Sequence, residues 1–162
     1  MTLICQRFLT PTLLALLLAA APLLATAADN EPPPPRAAAP AADPLATARG
    51  HIKASRWAAA LSELRKLGAS GNADWNNLMG YAMRKQTEPD LEAAQRHYDT
   101  ALRIDPKHRG ALEYAGELAL MKGDLPTAEA RLATLGQLCS SPCEPLDDLK
   151  TAVARYKSTG KP

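Results

Sequence analysis

An excess of charge of one sign is the first thing this sequence lacks. Its 162 residues carry 19 Lys and Arg against 17 Asp and Glu. Arg7 is the one charged side chain before Asp29, so the rest of the chain is almost balanced. Nucleic acid and acidic membranes are held by clustered basic surface, and this balance gives no reason to expect either as a partner. Metal donors are also few. One close cysteine pair and the scattered His51, His97 and His108 do not form a zinc-type spacing, which asks for about four ligands. A Cys-x-x-Cys-His haem run, a glycine-rich phosphate loop and a paired nucleophile and base are all missing. No catalytic residue, metal or cofactor is therefore expected.

Long apolar runs are lacking too. Leu13–Leu24 is shorter than the roughly 20 residues of a membrane span, and Pro11 and Pro22 break it further. With Arg7 before it and Ala25-Thr26-Ala27 after it, this stretch reads as a secretory signal cleaved after Ala27. An uncleaved anchor is the alternative. Cys5 precedes the apolar run, where a lipoprotein cysteine would have to follow it. The next segment, DNEPPPPRAAAPAADP, has no apolar period, and its four successive prolines favour extended backbone, so it reads as a linker.

What is present is a repeat. Trp57, Leu91 and Leu125 are spaced by thirty-four residues, and so are Ala60, Ala94 and Ala128; Leu64, Tyr98 and Leu132; and Leu67, Ala101 and Leu135. From one set to the next the positions are three, four and three apart, one face of an α-helix. Asp90 to Pro106 is the clearest of these helices. Leading helices are expected over Pro44 to Ala54, from Asp74 as N-cap to Lys85, and around Leu112 and Gly116. From Gly80 to Gly116 the step is thirty-six, so the turn from Gln86 to Asp90 holds two extra residues, with Thr87 a candidate cap for the helix that follows. Gly68 and Gly123-Asp124 mark helix ends. Glu144 to Tyr156, with Leu146, Leu149, Val153 and Tyr156 on one face, reads as an added helix.

The run Asn77-Leu78-Met79-Gly80-Tyr81-Ala82, together with Leu112, Gly116, Gly123, Leu125, Ala128 and Pro106, resembles the tetratricopeptide-repeat (TPR) signature, in an exported protein of bacterial type. Ala119 departs from it, standing where the family usually has tyrosine. The resemblance implies an all-α fold, a short right-handed α-solenoid of three TPR-like hairpins closed by a C-terminal capping helix. The chain then divides into a signal peptide (1–27), a Pro- and Ala-rich disordered linker (28–43), repeats at 44–73, 74–108 and 109–142, a cap (143–158) and a tail (159–162).

In that family the leading helices line a concave groove that binds extended peptides. Carried over, the groove residues are Asn77, Tyr81, Arg84 and Lys85 of the second repeat and Glu113, Tyr114 and Glu117 of the third, with Arg49 and Lys53 weaker. Asn, Tyr and two bases suit backbone amides and a carboxylate. The two glutamates argue against a groove that only clamps carboxylates, since they suit Arg84 or a basic ligand group.

Cys139 and Cys143 flank Ser-Ser-Pro at the entry to the cap. In an oxidising compartment a structural disulfide is the preferred reading, with free thiols or a redox pair as alternatives. The expected function is a non-catalytic adaptor, exported and periplasmic, that binds a peptide or protein segment in envelope assembly, secretion or cytochrome maturation. No nucleic acid and no stable membrane insertion after cleavage are expected. The rivals are a thiol-dependent factor using Cys139 and Cys143, and a structural protein that oligomerises.

Overall fold

A computed structural model describes residues 42–162, so the expected signal segment and the linker up to residue 41 lie outside the described residues. Seven α-helices follow one another: α1 (Ala46–Lys53), α2 (Trp57–Leu67), α3 (Ala73–Arg84), α4 (Leu91–Ile104), α5 (Arg109–Met121), α6 (Leu125–Leu138) and α7 (Glu144–Thr159). Among the described residues there is no strand. No helix there is long and apolar enough to cross a membrane.

Four of the helix starts are capped by a side chain. The side chains of Asn72, Asp90, His108 and Asp124 accept from the backbone N–H groups of Trp75, Ala93, Ala111 and Thr127, supplying partners that the first turns of α3, α4, α5 and α6 lack. Two of these caps correct the sequence reading. Asn72, not Asp74, caps α3, and Asp90, not Thr87, caps α4. Gly68, at φ +58°, closes α2 in the left-handed region, and Gly123, at φ +78°, makes the turn into α6. The longer turn expected before α4 is present: from Gly80 to the first residue of α4, Leu91, is two residues more than from Gly116 to the first residue of α6, Leu125.

The helices pair as α1/α2, α3/α4 and α5/α6, and α7 packs on α5 and α6. Leading helices α1, α3, α5 and α7 touch their successors, while α2, α4 and α6 do not touch one another. The array therefore curves with the leading helices on its inner side.

Apolar side chains form a series of clusters in place of one core. Leu61 and Leu64 pack with Leu78 and Met79; Ala94 and Tyr98 with Ala115 and Leu118; Leu112, Leu120 and Leu135 with Leu149 and Val153. Each cluster joins a hairpin to its neighbour, the nearest-neighbour arrangement of a solenoid. Ala60, Ala94 and Ala128 are all 0% exposed, so each repeated alanine is shut inside the cluster of its own hairpin. The fourth column is less regular. Ala101 and Leu135 are buried, but Leu67 is 38% exposed, because α1 has 8 residues against the 11 of α2 and leaves its last turn uncovered.

The signature glycines serve different neighbours. A Cβ on Gly80 would stand 2.7 Å from the ring of Tyr98, so this glycine lets α4 close on α3. A Cβ on Gly116 would stand 2.6 Å from Leu149 instead. In the third repeat the notch therefore receives the cap, not the second helix of its own hairpin. A polar link ties the repeats at one end. Asp74 accepts from Arg49 at 3.0 Å and pairs with His108 Nε2 at 2.9 Å. His108 Nδ1 accepts from Ala111 N–H, which leaves the ring proton of the neutral imidazole on Nε2, facing Asp74. Burial would raise the Asp74 pKa, but the His108 bond and the Arg49 charge outweigh it and hold the carboxyl below its ordinary range.

Candidate functional site

The inner side carries a hollow of about 350 Å³ bounded by α3, α5 and the first turns of α7. Six of the seven groove residues expected from the sequence line it: Tyr81 and Arg84 from α3, Lys85 just past its end, and Glu113, Tyr114 and Glu117 from α5. Asn77 does not. It is buried under the first turn of α5, where a Cβ on Gly110 would lie 3.0 Å from its Nδ2. Its place in the helix period is right, but the close approach of α5 covers it. Arg49, the weaker candidate from the first repeat, is held by Asp43 and Asp74.

Two tyrosines make one wall. The rings of Tyr81 and Tyr114 lie 4.5 Å apart, and Trp57 of α2 meets Tyr81 edge-on at 5.8 Å. The Arg84 guanidinium stacks over both tyrosines, at 5.6 and 5.5 Å. It is only 6% exposed, and its Nη2 donates to the Glu117 carboxylate. The sequence reading offered Arg84 as a possible bidentate clamp for a ligand carboxylate. Its commitment to Glu117 and to the two rings makes it chiefly an internal brace that neutralises Glu117. Lys85, exposed, sits 5.8 Å from the Tyr81 ring as the hollow's one outward-facing base.

Carboxylates make the opposite wall. Glu113 is 6% exposed and has no hydrogen-bond or ion-pair partner among the described residues. Burial pushes its pKa up to about 8, helped by the charges of Glu117, Asp148 and Glu144 and opposed by Arg84. Glu144, Pro145 and Asp148 belong to α7, and with Gly110 they complete the lining. Sequence reasoning missed these four as site residues because it treated the cap as a lid over exposed core. A usable signal was present: one more step of thirty-four residues carries Gly110 to Glu144 and Tyr114 to Asp148, which puts α7 in the register of a leading helix. A second hollow of about 280 Å³ lies beyond the Arg84–Glu117 pair and is lined in part by Leu120, Met121, Ala152 and Arg155.

The arrangement offers an aromatic face, buried and exposed carboxylates and an adjoining apolar recess. Among the described residues no group of three or more His, Cys, Asp and Glu converges as metal donors.

SycD has the same fold. One structure of this type III secretion translocator chaperone from Yersinia enterocolitica covers 72% of the present chain and 83% of its own at 17% identity, with a TM-score of 0.61. A second, a crystal structure of SycD in complex with a peptide of the translocator YopD, covers 73% and 92% at 16% identity, with a TM-score of 0.59. At such identities the likeness establishes a TPR-like helical solenoid and no more. No protein-family model and no curated protein matches the chain.

Proposed function

We propose that this chain is a non-catalytic adaptor that holds an extended peptide or protein segment against α3, α5 and α7. The hollow between these helices carries the reading, since it joins aromatic surface to hydrogen-bonding groups on the concave side of a repeat array. The peptide bound to SycD supports it as an analogy of fold. Export to the periplasm belongs to the same proposal. It rests on the apolar run Leu13–Leu24 with its small-residue cleavage pattern, and a role in envelope assembly or secretion would follow from that location.

Cys139 and Cys143 have Cα atoms 5.9 Å apart, within disulfide reach. Their proposed role is to fix the entry of α7, and so the position of Glu144 and Asp148. Cys143 is only 5% exposed, a poor setting for thiol exchange, which needs access to an attacking thiolate. Under the adaptor reading, serine at both positions weakens peptide capture only in part, through a looser α7, whereas a thiol-cycling factor would lose its activity.

The groove itself is tested by selecting binders to the full chain from a displayed random-peptide library. A photo-crosslinking amino acid is then placed at Lys85 or, on the outward helix α4, at Arg96. Selected peptides should label from position 85 and not from 96. Equal labelling, or labelling from 96 alone, would reject groove recognition.

A further inference from the structure

The hollow contains a buried acid that the fold does not use. Glu113 lines it, is more than nine-tenths buried as a residue, has no hydrogen-bond or ion-pair partner among the described residues, and opens its carboxyl oxygens only to the hollow. Glu117, on the same face of α5, is engaged by Arg84. Glu144 and Asp148 face the hollow from α7, and Lys85 alone among its bases points outward. Three carboxyl groups thus stand against one exposed ammonium, beside the paired rings of Tyr81 and Tyr114. A buried carboxyl left without a partner is costly when ionised, and the neighbouring acids add to that cost. A bound cation would relieve both, and tyrosine faces attract cations in addition. The fold shows such stacking with its own Arg84.

We infer that the hollow between Tyr114, Glu113 and the first turns of α7 is a recognition pocket for a lysine or arginine side chain of the bound segment. This deepens the groove reading and rests on it: the ligand is a basic peptide, not one held by its carboxylates. The size of the hollow, about 350 Å³, admits one long side chain. The adjoining recess at Leu120 and Met121 would take an apolar neighbour of the same peptide.

Protons report on the pocket. Glu113 titrates at about 8 in the free protein, while the cation binds its ionised form. The groups facing it are Tyr81 and Arg84 from α3, Lys85 just past its end, Tyr114 and Glu117 from its own helix, and Glu144 and Asp148 from α7. Arginine stays charged throughout the range concerned, and the lysine ammonium, with a pKa near 10.4, does so through neutral pH. Binding near neutral pH must therefore expel a proton from Glu113, and affinity should rise about tenfold per pH unit below its pKa.

The experiment uses the full chain with carbon-13-labelled glutamate side chains, n-butylguanidinium as probe and the neutral n-butylurea as its isostere. Butylguanidinium should move the Glu113 carboxyl resonance and lower its apparent pKa, and butylurea should not. Glu113→Gln, nearly isosteric and checked for fold by circular dichroism, should weaken guanidinium binding about tenfold or more, equivalent to about 1.4 kcal/mol. The paired change Glu144→Gln with Asp148→Gln, at exposed positions, should weaken it less. Equal responses to both probes, no response to either, or undiminished binding by the Glu113 variant would overturn the proposal. Because the probe is not a peptide, the outcomes separate. A pocket that takes guanidinium while position 85 crosslinks no peptide removes the groove reading and leaves a cation site without a peptide. Peptides that crosslink there without favouring Lys or Arg remove only this one.

Discussion

Glu113 shows how one side chain can carry a penalty that the fold does not repay. Its carboxyl ordinarily titrates near 4.5 but at about 8 in the folded chain, so between those values the folded state keeps a proton that the unfolded chain has released. Stability should therefore fall as pH rises through that window and level off above it. Glutamine cannot ionise, so Glu113→Gln should be nearly neutral at the acid end. By the alkaline end it should be stabilising by a few kcal/mol at most, given about 1.4 kcal/mol per pKa unit and the water that reaches the hollow. Denaturant melts across the window measure this directly, and an equal effect at both ends would contradict the assigned burial. Arg84 has the opposite logic. Arg84→Met should be destabilising by about 3 kcal/mol in the same assay, since it strands Glu117 among acids.

Among the helices, two glycines with the same propensity should respond in opposite directions. Gly80, in the middle of α3, faces Tyr98 at 2.7 Å and the Ala94 carbonyl at 3.0 Å. Tyr98 is 0% exposed and cannot swing away. Gly80→Ala should therefore destabilise by about 1–3 kcal/mol through overpacking, although alanine is the better helix former. Gly136, in α6, would meet nothing within 4 Å, and Gly136→Ala should stabilise by about 0.5–1 kcal/mol. Thermal unfolding of the pair checks both signs. The cap of α4 gives a related expectation: Asp90→Ala should lose about 1 kcal/mol, whereas Thr87→Ala should lose almost nothing, because Thr87 does not cap. Helix positions were readable from the chain because apolar spacing and cap residues act within one or two turns. The misplaced caps were competing polar residues a few positions apart, and packing chose between them.

Over the array as a whole, clusters linked only to their neighbours make stability uneven along the chain. Leu149, 0% exposed, fills the Gly116 notch and joins α7 to the last hairpin. Leu149→Ala should remove about 2–5 kcal/mol. Amide exchange should accelerate strongly in α5–α7 and little in α1 and α2, and uniform acceleration would mean one cooperative core. The same helix decides the site. Tyr81, Arg84, Lys85, Glu113, Tyr114 and Glu117 were legible as one face of two helices, since side-chain direction follows from the helical period. Repeats, helices and the balance of charge followed from local pattern, which needs no knowledge of what lies across a gap. The tertiary structure alone decided that Asn77 is covered, that Arg84 is spent on Glu117, and that Glu144 and Asp148 turn the groove acidic. Each of these depends on how closely α5 and α7 approach, and such distances arise from side chains far apart in sequence meeting in one packed space.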